Sequence, residues 1–249
     1  MYKLGLTSIS FRQLTYSEVI NATIAAGLSV IEWGSDVHAP RDDKQRLNEI
    51  AAADKAAGIE CSSYGTYFKL GVDKVEELYE YIEAAKILGT NILRIWCGQK
   101  NYTDMTEDER LAMIDEGRKA AKIAEECSAV LCMECHNNTY TNCLEGALRL
   151  MKEVDSCAFR MYWQPNQNKD LEYNLEYARA IHPYTDNLHV FYWIERDKRP
   201  LVEGAEYWKE YLKVFPEDRA LLFEFMPDGK PETLITETET LRKIVDGKI

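Results

Sequence analysis

The 249-residue chain is 46% hydrophobic and carries a formal net charge of −12. That length suits one large domain or two small ones. No apolar run approaches the ~18 residues of a membrane span, and the acidic balance argues against a polyanionic partner such as nucleic acid. The opening MYKLGLTSISFRQLT lacks the pattern of an export signal, and seven cysteines, an odd number scattered through apolar contexts, read as reduced thiols, so a cytoplasmic location is expected.

Along the chain, short apolar, β-branched or aromatic runs alternate with longer amphipathic segments. The runs are KLGLTSIS near Lys3, SVIEWG at Ser29, GIECSSYG at Gly58, NILRIWCG at Asn91, AVLCMECH at Ala129, AFRMYWQP at Ala158, NLHVFYW at Asn187 and RALLFEFM at Arg219. Thr15 with Glu18, Thr106 with Glu109 and, more loosely, Asn142 with Glu145 fit capping boxes that open helices between them. Val75, Leu78, Tyr79, Ile82 and Ala85 form an apolar stripe at helical spacing, a core-packing face. Gly27, Gly58 and Gly89 punctuate helix ends. Eight β-α units in this length are the arithmetic of an α/β fold of the (β/α)8 TIM-barrel type, one domain spanning residues 1–249. A doubly wound sheet is the weaker alternative, because no glycine-rich phosphate loop follows the first strand.

In such a barrel the site is assembled at the C-terminal ends of the strands. Strand two ends in Glu32 and Trp33, with His38 beyond; strand three supplies Tyr64; strand four supplies Arg94 and Trp96, then Lys100; Trp193 follows strand seven. These are the candidate substrate-binding residues, although Arg94, on an apolar strand, calls for a buried anion such as Glu32. Strand five carries a literal C-x-x-C-H, Cys132 to His136, the spacing of a c-type haem attachment. Alternation puts Cys132, Glu134 and His136 on one face and Met133 and Cys135 on the other, so the cysteines cannot readily grip one ligand and Glu134 is the functional residue. Glu134, Gln164, His189 and Glu224 come one each from four successive strands, an oxygen-rich set with one nitrogen that suits a divalent ion such as Mn, Mg, Co or Zn.

IEWGSDVHAP, LRIWCGQK, MECHNNTYTN, LHVFYW and LFEF, in this order, resemble the xylose isomerase-like barrel superfamily labelled sugar phosphate isomerase/epimerase, over essentially the whole chain. LRIWCGQK and MECHNNTYTN are also similar to metal-dependent 3-dehydroshikimate dehydratases of that superfamily. The resemblance implies one divalent metal held by Glu, Asp, His and Glu, which fall on Glu134, Gln164, His189 and Glu224; Gln164 thus stands where the family has Asp, and Gln167 where a His often follows. Tyr140 and Glu195 replace the Glu and Arg of the ketose epimerase clamp. The implied activity is a metal-dependent isomerase or epimerase that moves a proton beside a carbonyl through an enediolate, with Glu134 and Glu224 as base and acid and His136 as shuttle or donor. A dehydratase-like lyase and a non-catalytic sugar-binding barrel are the alternatives. The partner is a small carbohydrate or hydroxy-carbonyl compound, and association into a homo-oligomer is left open.

Overall fold

The computed structural model describes residues 1–216 and 218–249. Each of the eight apolar runs forms a strand: β1 (Lys3–Thr7), β2 (Val30–Gly34), β3 (Glu60–Leu70), β4 (Ile92–Cys97), β5 (Val130–Glu134), β6 (Phe159–Trp163), β7 (Thr185–Val190) and, as the eighth stave, β10 (Ala220–Phe223). They close into a parallel barrel in the order β1-β10-β7-β6-β5-β4-β3-β2. A short antiparallel hairpin, β8 (Tyr192–Ile194) with β9 (Asp197–Arg199), leaves the barrel after β7. Where β1 meets β2 the backbones approach closely. A Cβ on Gly5 would stand 2.2 Å from the Val30 carbonyl oxygen, so closure here needs glycine.

Among the described residues eight α-helices form the outer layer: α1 (Tyr16–Ala25), α2 (Lys44–Ala57), α3 (Leu78–Leu88), α4 (Glu107–Glu126), α5 (Leu144–Val154), α6 (Leu171–Ile181), α7 (Ala205–Val214) and α8 (Thr233–Val245). The capping boxes at Thr15 and Thr106 are both formed, and α2 and α3 end on Gly58 and Gly89 in the left-handed conformation. The expectation at Asn142 is corrected. The cap of α5 is Cys143, while Asn142 Oδ1 accepts the Tyr102 amide at 3.1 Å, tying two loops together instead. No helix among the described residues is long and apolar enough to cross a membrane.

Alternation along each strand sorts the residues into two cores. Outward residues such as Ile31, Trp33, Tyr64, Leu93, Met133, Trp163 and Leu188 join the main core beneath the helices. Inside the barrel, a small apolar plug of Val30, Cys132, Tyr162, Ala220 and Leu222 fills the lower end. Above it the interior turns polar, with Glu32, Ser63, Arg94, Glu134, Asn187 and His189 all buried where aliphatic side chains usually stack. The C-x-x-C pair is split as the alternation requires: Cys132 Sγ lies inside the barrel near Asp186, and Cys135 Sγ donates to the Tyr162 carbonyl. All seven cysteines are free thiols.

Candidate metal centre

Four of the collected residues converge at the C-terminal mouth. Glu134, His189 and Glu224 present ligand atoms that lie within 4.8 Å of one another. Gln164 completes the group, its Oε1 2.8 Å from His189 Nδ1. Because Gln164 Nε2 donates to the Cys135 carbonyl at 3.1 Å, the amide can only turn its oxygen toward the histidine. His189 Nδ1 is also 3.7 Å from Glu134 Oε1 and 3.7 Å from Glu224 Oε2.

This arrangement fits a divalent ion. Ligands ~2.1 Å from one hard cation stand ~3 Å apart when adjacent and ~4.2 Å apart when opposite, and the spacings around Nδ1, 2.8, 3.7 and 3.7 Å, fall within or close to that range. Charge fits as well. The buried set of Glu32, Glu134 and Glu224 against Arg94 carries two surplus negative charges when the imidazole is neutral, and a dication cancels them. Without such an ion, burial opposes charge on His189, but Glu224, Glu32 and Glu134 outweigh it and hold the imidazole above its ordinary pKa.

The two ligand carboxylates are not equivalent. Glu134 Oε2 accepts from Arg94 Nη1 at 2.7 Å and from the Trp96 indole, leaving only Oε1 for the ion. Burial raises the Glu134 pKa, but Arg94 and then His189 reverse this and hold it below the usual range. Glu224 accepts no hydrogen bond from the described residues, and burial together with repulsion from Glu134 keeps its carboxyl above the usual range against the pull of His189. His136 Nδ1 donates to the Asn137 carbonyl at 2.7 Å, which leaves Nε2 free, and the ring stacks on Trp96 with centroids 4.9 Å apart. His136, Gln164, Trp193, Glu224 and Phe225 line a chamber of about 90 Å³ above the cluster, and Trp193 also walls a neighbouring cavity of about 320 Å³. Phe225, just after Glu224, has φ +61°, a conformation a bulky residue holds only where its surroundings impose it.

Several expected substrate contacts lie elsewhere. Neighbours on a strand face opposite ways, so Glu32 and Trp33 cannot both face inward; Trp33 points out and donates to Asp54 on α2 at 2.7 Å. Tyr64 likewise points out, its hydroxyl donating to the Ala39 carbonyl at 2.6 Å. His38 is buried against Trp33 and donates to the Leu14 carbonyl at 3.0 Å. Lys100 pairs with Glu109 at the start of α4 and lines a different cavity. Glu32 and Arg94 do enter the barrel, but beneath the ligand cluster and out of the chamber: Arg94 bridges Glu32 Oε1 at 3.1 Å and Glu134. Trp96 and Trp193 remain at the mouth.

The sequence reading missed Ser63, Gly65, Tyr162 and Asn187. Ser63 Oγ donates to Glu32 Oε2 at 3.0 Å, and Gly65 leaves the room for Arg94 and Glu32 to meet, since a Cβ there would stand 2.6 Å from Glu32 Oε1. The signal was available: Ser63 and Gly65 share the inward parity that excludes Tyr64.

These features define a (β/α)8 barrel with a candidate divalent-metal centre at its C-terminal mouth. The chain belongs to the xylose isomerase-like TIM barrel family, whose model matches residues 20–215. A 3-dehydroshikimate dehydratase of Bacillus anthracis is 25% identical over 215 residues, covering 82% of this chain and 74% of that relative. Among solved structures, the probable 3-DHS dehydratase of Bacillus anthracis involved in petrobactin synthesis matches with a TM-score of 0.79 at 17% identity, over 97% of this chain and 99% of that one. The 3-keto-D-glucoside 4-epimerase of E. coli matches with a TM-score of 0.76 at 14% identity, over 99% of this chain and 100% of that one. At such identities the structural likenesses show the fold.

Proposed function

We propose that the protein is a divalent-metal-dependent enzyme that removes a proton from the carbon beside a carbonyl of a small hydroxy-carbonyl compound and completes the reaction by expelling a neighbouring hydroxyl, as a dehydratase does. The observation that carries this reading is the inequality of the two carboxylates. A bound divalent ion, held by Glu134, Gln164, His189 and Glu224, would supply stabilisation of the charge that gathers on the carbonyl oxygen. Glu224, whose carboxylate no described donor engages, would keep one oxygen able to take the proton while the other serves the ion. His136, with Nε2 facing the chamber wall, is placed to protonate the departing hydroxyl from its imidazolium form, keeping the Nδ1 proton that it donates to the Asn137 carbonyl. Glu134 is an anchor: Arg94 and Trp96 hold the oxygen it would need for proton transfer.

Stereochemical inversion asks for a proton donor and an acceptor on opposite faces of the carbon, and the engaged Glu134 leaves one of those places unfilled. The similarity to a 3-dehydroshikimate dehydratase supports the lyase reading. The isomerase or epimerase reading keeps support from the pairing of Glu134 with Glu224 in one ligand cluster, which a one-base isomerase could use. Two assays of the metal-loaded protein separate them. With 3-dehydroshikimate a dehydratase yields an ultraviolet-absorbing product, and Glu224→Gln lowers its rate by ~10²-fold or more. Exchange of a carbon-bound hydrogen of ketoses in heavy water, with no elimination, would instead establish the isomerase reading. No metal after reconstitution would leave a sugar-binding barrel.

A further inference from the structure

Directly beneath the ligand cluster runs a chain of hydrogen bonds whose direction is fixed. The Ala220 amide donates to Asn187 Oδ1 at 3.2 Å, so Asn187 must present its NH₂ to the Tyr162 hydroxyl, 2.9 Å away. Tyr162, already accepting, donates its own hydroxyl proton in a hydrogen bond to Ser63 Oγ at 2.6 Å, and Ser63 donates to Glu32 Oε2 at 3.0 Å. Arg94 Nε donates to Glu32 Oε1 at 3.1 Å, and Gly65 keeps the space open. Every donor in this chain points at Glu32, and these donors hold the buried carboxyl, 1% exposed, as a carboxylate acceptor. That carboxylate faces the far side of the His189 ring, with Oε1 3.6 Å from Nε2. Nε2 is buried and has no hydrogen-bond partner. On the near side, Nδ1 faces three oxygens, those of Gln164, Glu134 and Glu224.

We propose that Glu32 is the positioning residue of the metal centre: its carboxylate draws the Nε2–H of His189 toward itself across the barrel, keeping that proton on Nε2 and thereby presenting Nδ1, unprotonated, to the divalent ion. This rests on the metal-dependent reading given above. The opposite tautomer would aim the Nε2 lone pair at a carboxylate in a dry interior, where two acceptors repel. A carboxylate behind a ligand histidine fixes the ring's tautomer and orientation and raises its basicity toward the metal. Glu32 is thus removed from the substrate-binding role that its strand-end position suggested, and Ser63, Tyr162 and Asn187 become the residues that orient it.

The test is titration of Mn²⁺ into the metal-free parent, Glu32→Gln, Ser63→Ala and His189→Ala, each checked for folding by circular dichroism. Glu32→Gln should bind ~10–100-fold more weakly, the usual effect of losing such a partner, with Ser63→Ala weakened less and His189→Ala most. In the Zn²⁺-loaded parent labelled with ¹⁵N-histidine, the His189 resonance, assigned by its loss in His189→Ala, should carry a directly bonded proton on Nε2. If Glu32→Gln fails to fold, Ser63→Ala, which keeps the Arg94–Glu32 pair, and the nitrogen spectrum of the parent still decide. A His189 proton found on Nδ1, or Glu32→Gln and Ser63→Ala binding as the parent does, overturns the proposal while leaving the metal site intact. A parent that binds no ion removes the metal reading itself.

Discussion

Replacing Arg94 by Met tests whether the polar interior is an electrostatic unit. The guanidinium is 2% exposed and is shared between Glu32 and Glu134. Burial pushes the Glu32 carboxyl up, but Arg94, followed by His189, pulls it down from 4.5 to about 2. A depression of that size contributes about 3 kcal/mol of stability at neutral pH. Breaking a buried pair by removing one partner costs ~3–5 kcal/mol, of the same order. The sign follows from the proton count. In the parent, Glu32 contributes stability above its unfolded pKa, and this is lost only as pH falls toward 2. In Arg94→Met the stranded carboxylates rise above their unfolded values, so the variant loses stability as pH increases. Urea unfolding of the metal-free proteins should show a loss of ~3 kcal/mol or more at pH 7.5, narrowing by over ~1 kcal/mol at pH 5. A loss below ~1 kcal/mol, or one that is equal at both pH values, would refute the reasoning.

Asp54 is a second buried acid: Trp33 Nε1 donates to its Oδ2, its Oδ1 has no partner, and burial, partly offset by that bond, pushes its pKa up to about 7. A raised carboxyl favours the fold below the unfolded pKa near 4 and loses that contribution as pH rises through 7, so Asp54→Asn should match the parent at pH 4 and exceed it by ~1 kcal/mol or more at pH 8; equal pH slopes in the two unfolding series would contradict this. Gln164→Asp should tighten Mn²⁺ binding by ~1 kcal/mol or more through the added charge, measured by calorimetry on the metal-free proteins. Unchanged affinity would take Gln164 out of the ligand set.

The barrel was legible because each stave is a short β-branched or aromatic run and each crossover carries helical periodicity with its own punctuation, as at Thr15, Thr106, Gly58 and Gly89. The ligand cluster was legible because Glu134, His189 and Glu224 interrupt apolar strands with groups too costly to bury without a purpose. The substrate contacts were less so. Trp33 and Tyr64 are aromatic and strand-terminal, and a register shift of one residue exchanges the mouth of the barrel for the helix layer. Ser63 was legible only through its inward parity and Asn187 not at all, since the hydrogen bonds that link them to Glu32 join strands remote in sequence. Nor could a motif reveal that Arg94 engages Glu134 as well as Glu32, the contact that makes the Glu134 and Glu224 carboxylates unequal.

The charge count ties the cluster to the neutral amide at position 164. Glu32 lies beneath His189, Glu134 and Glu224 converge with it on the candidate ion site, and Arg94 balances one of the three carboxylates. A dication then brings the interior to neutrality without an acid at 164, whereas an aspartate there would leave one surplus negative charge even with the ion in place. Such a surplus would hold the metal more firmly and repel a substrate that carries its own charge, a carboxylate or an ionising hydroxyl. With Gln164 a bound ion would be less neutralised by its ligands and would polarise a substrate carbonyl more strongly. On the metal-dependent reading proposed above, the amide at this position would exchange metal affinity for electrophilic strength and would leave the chamber more receptive to an anionic hydroxy-carbonyl compound than an aspartate there would.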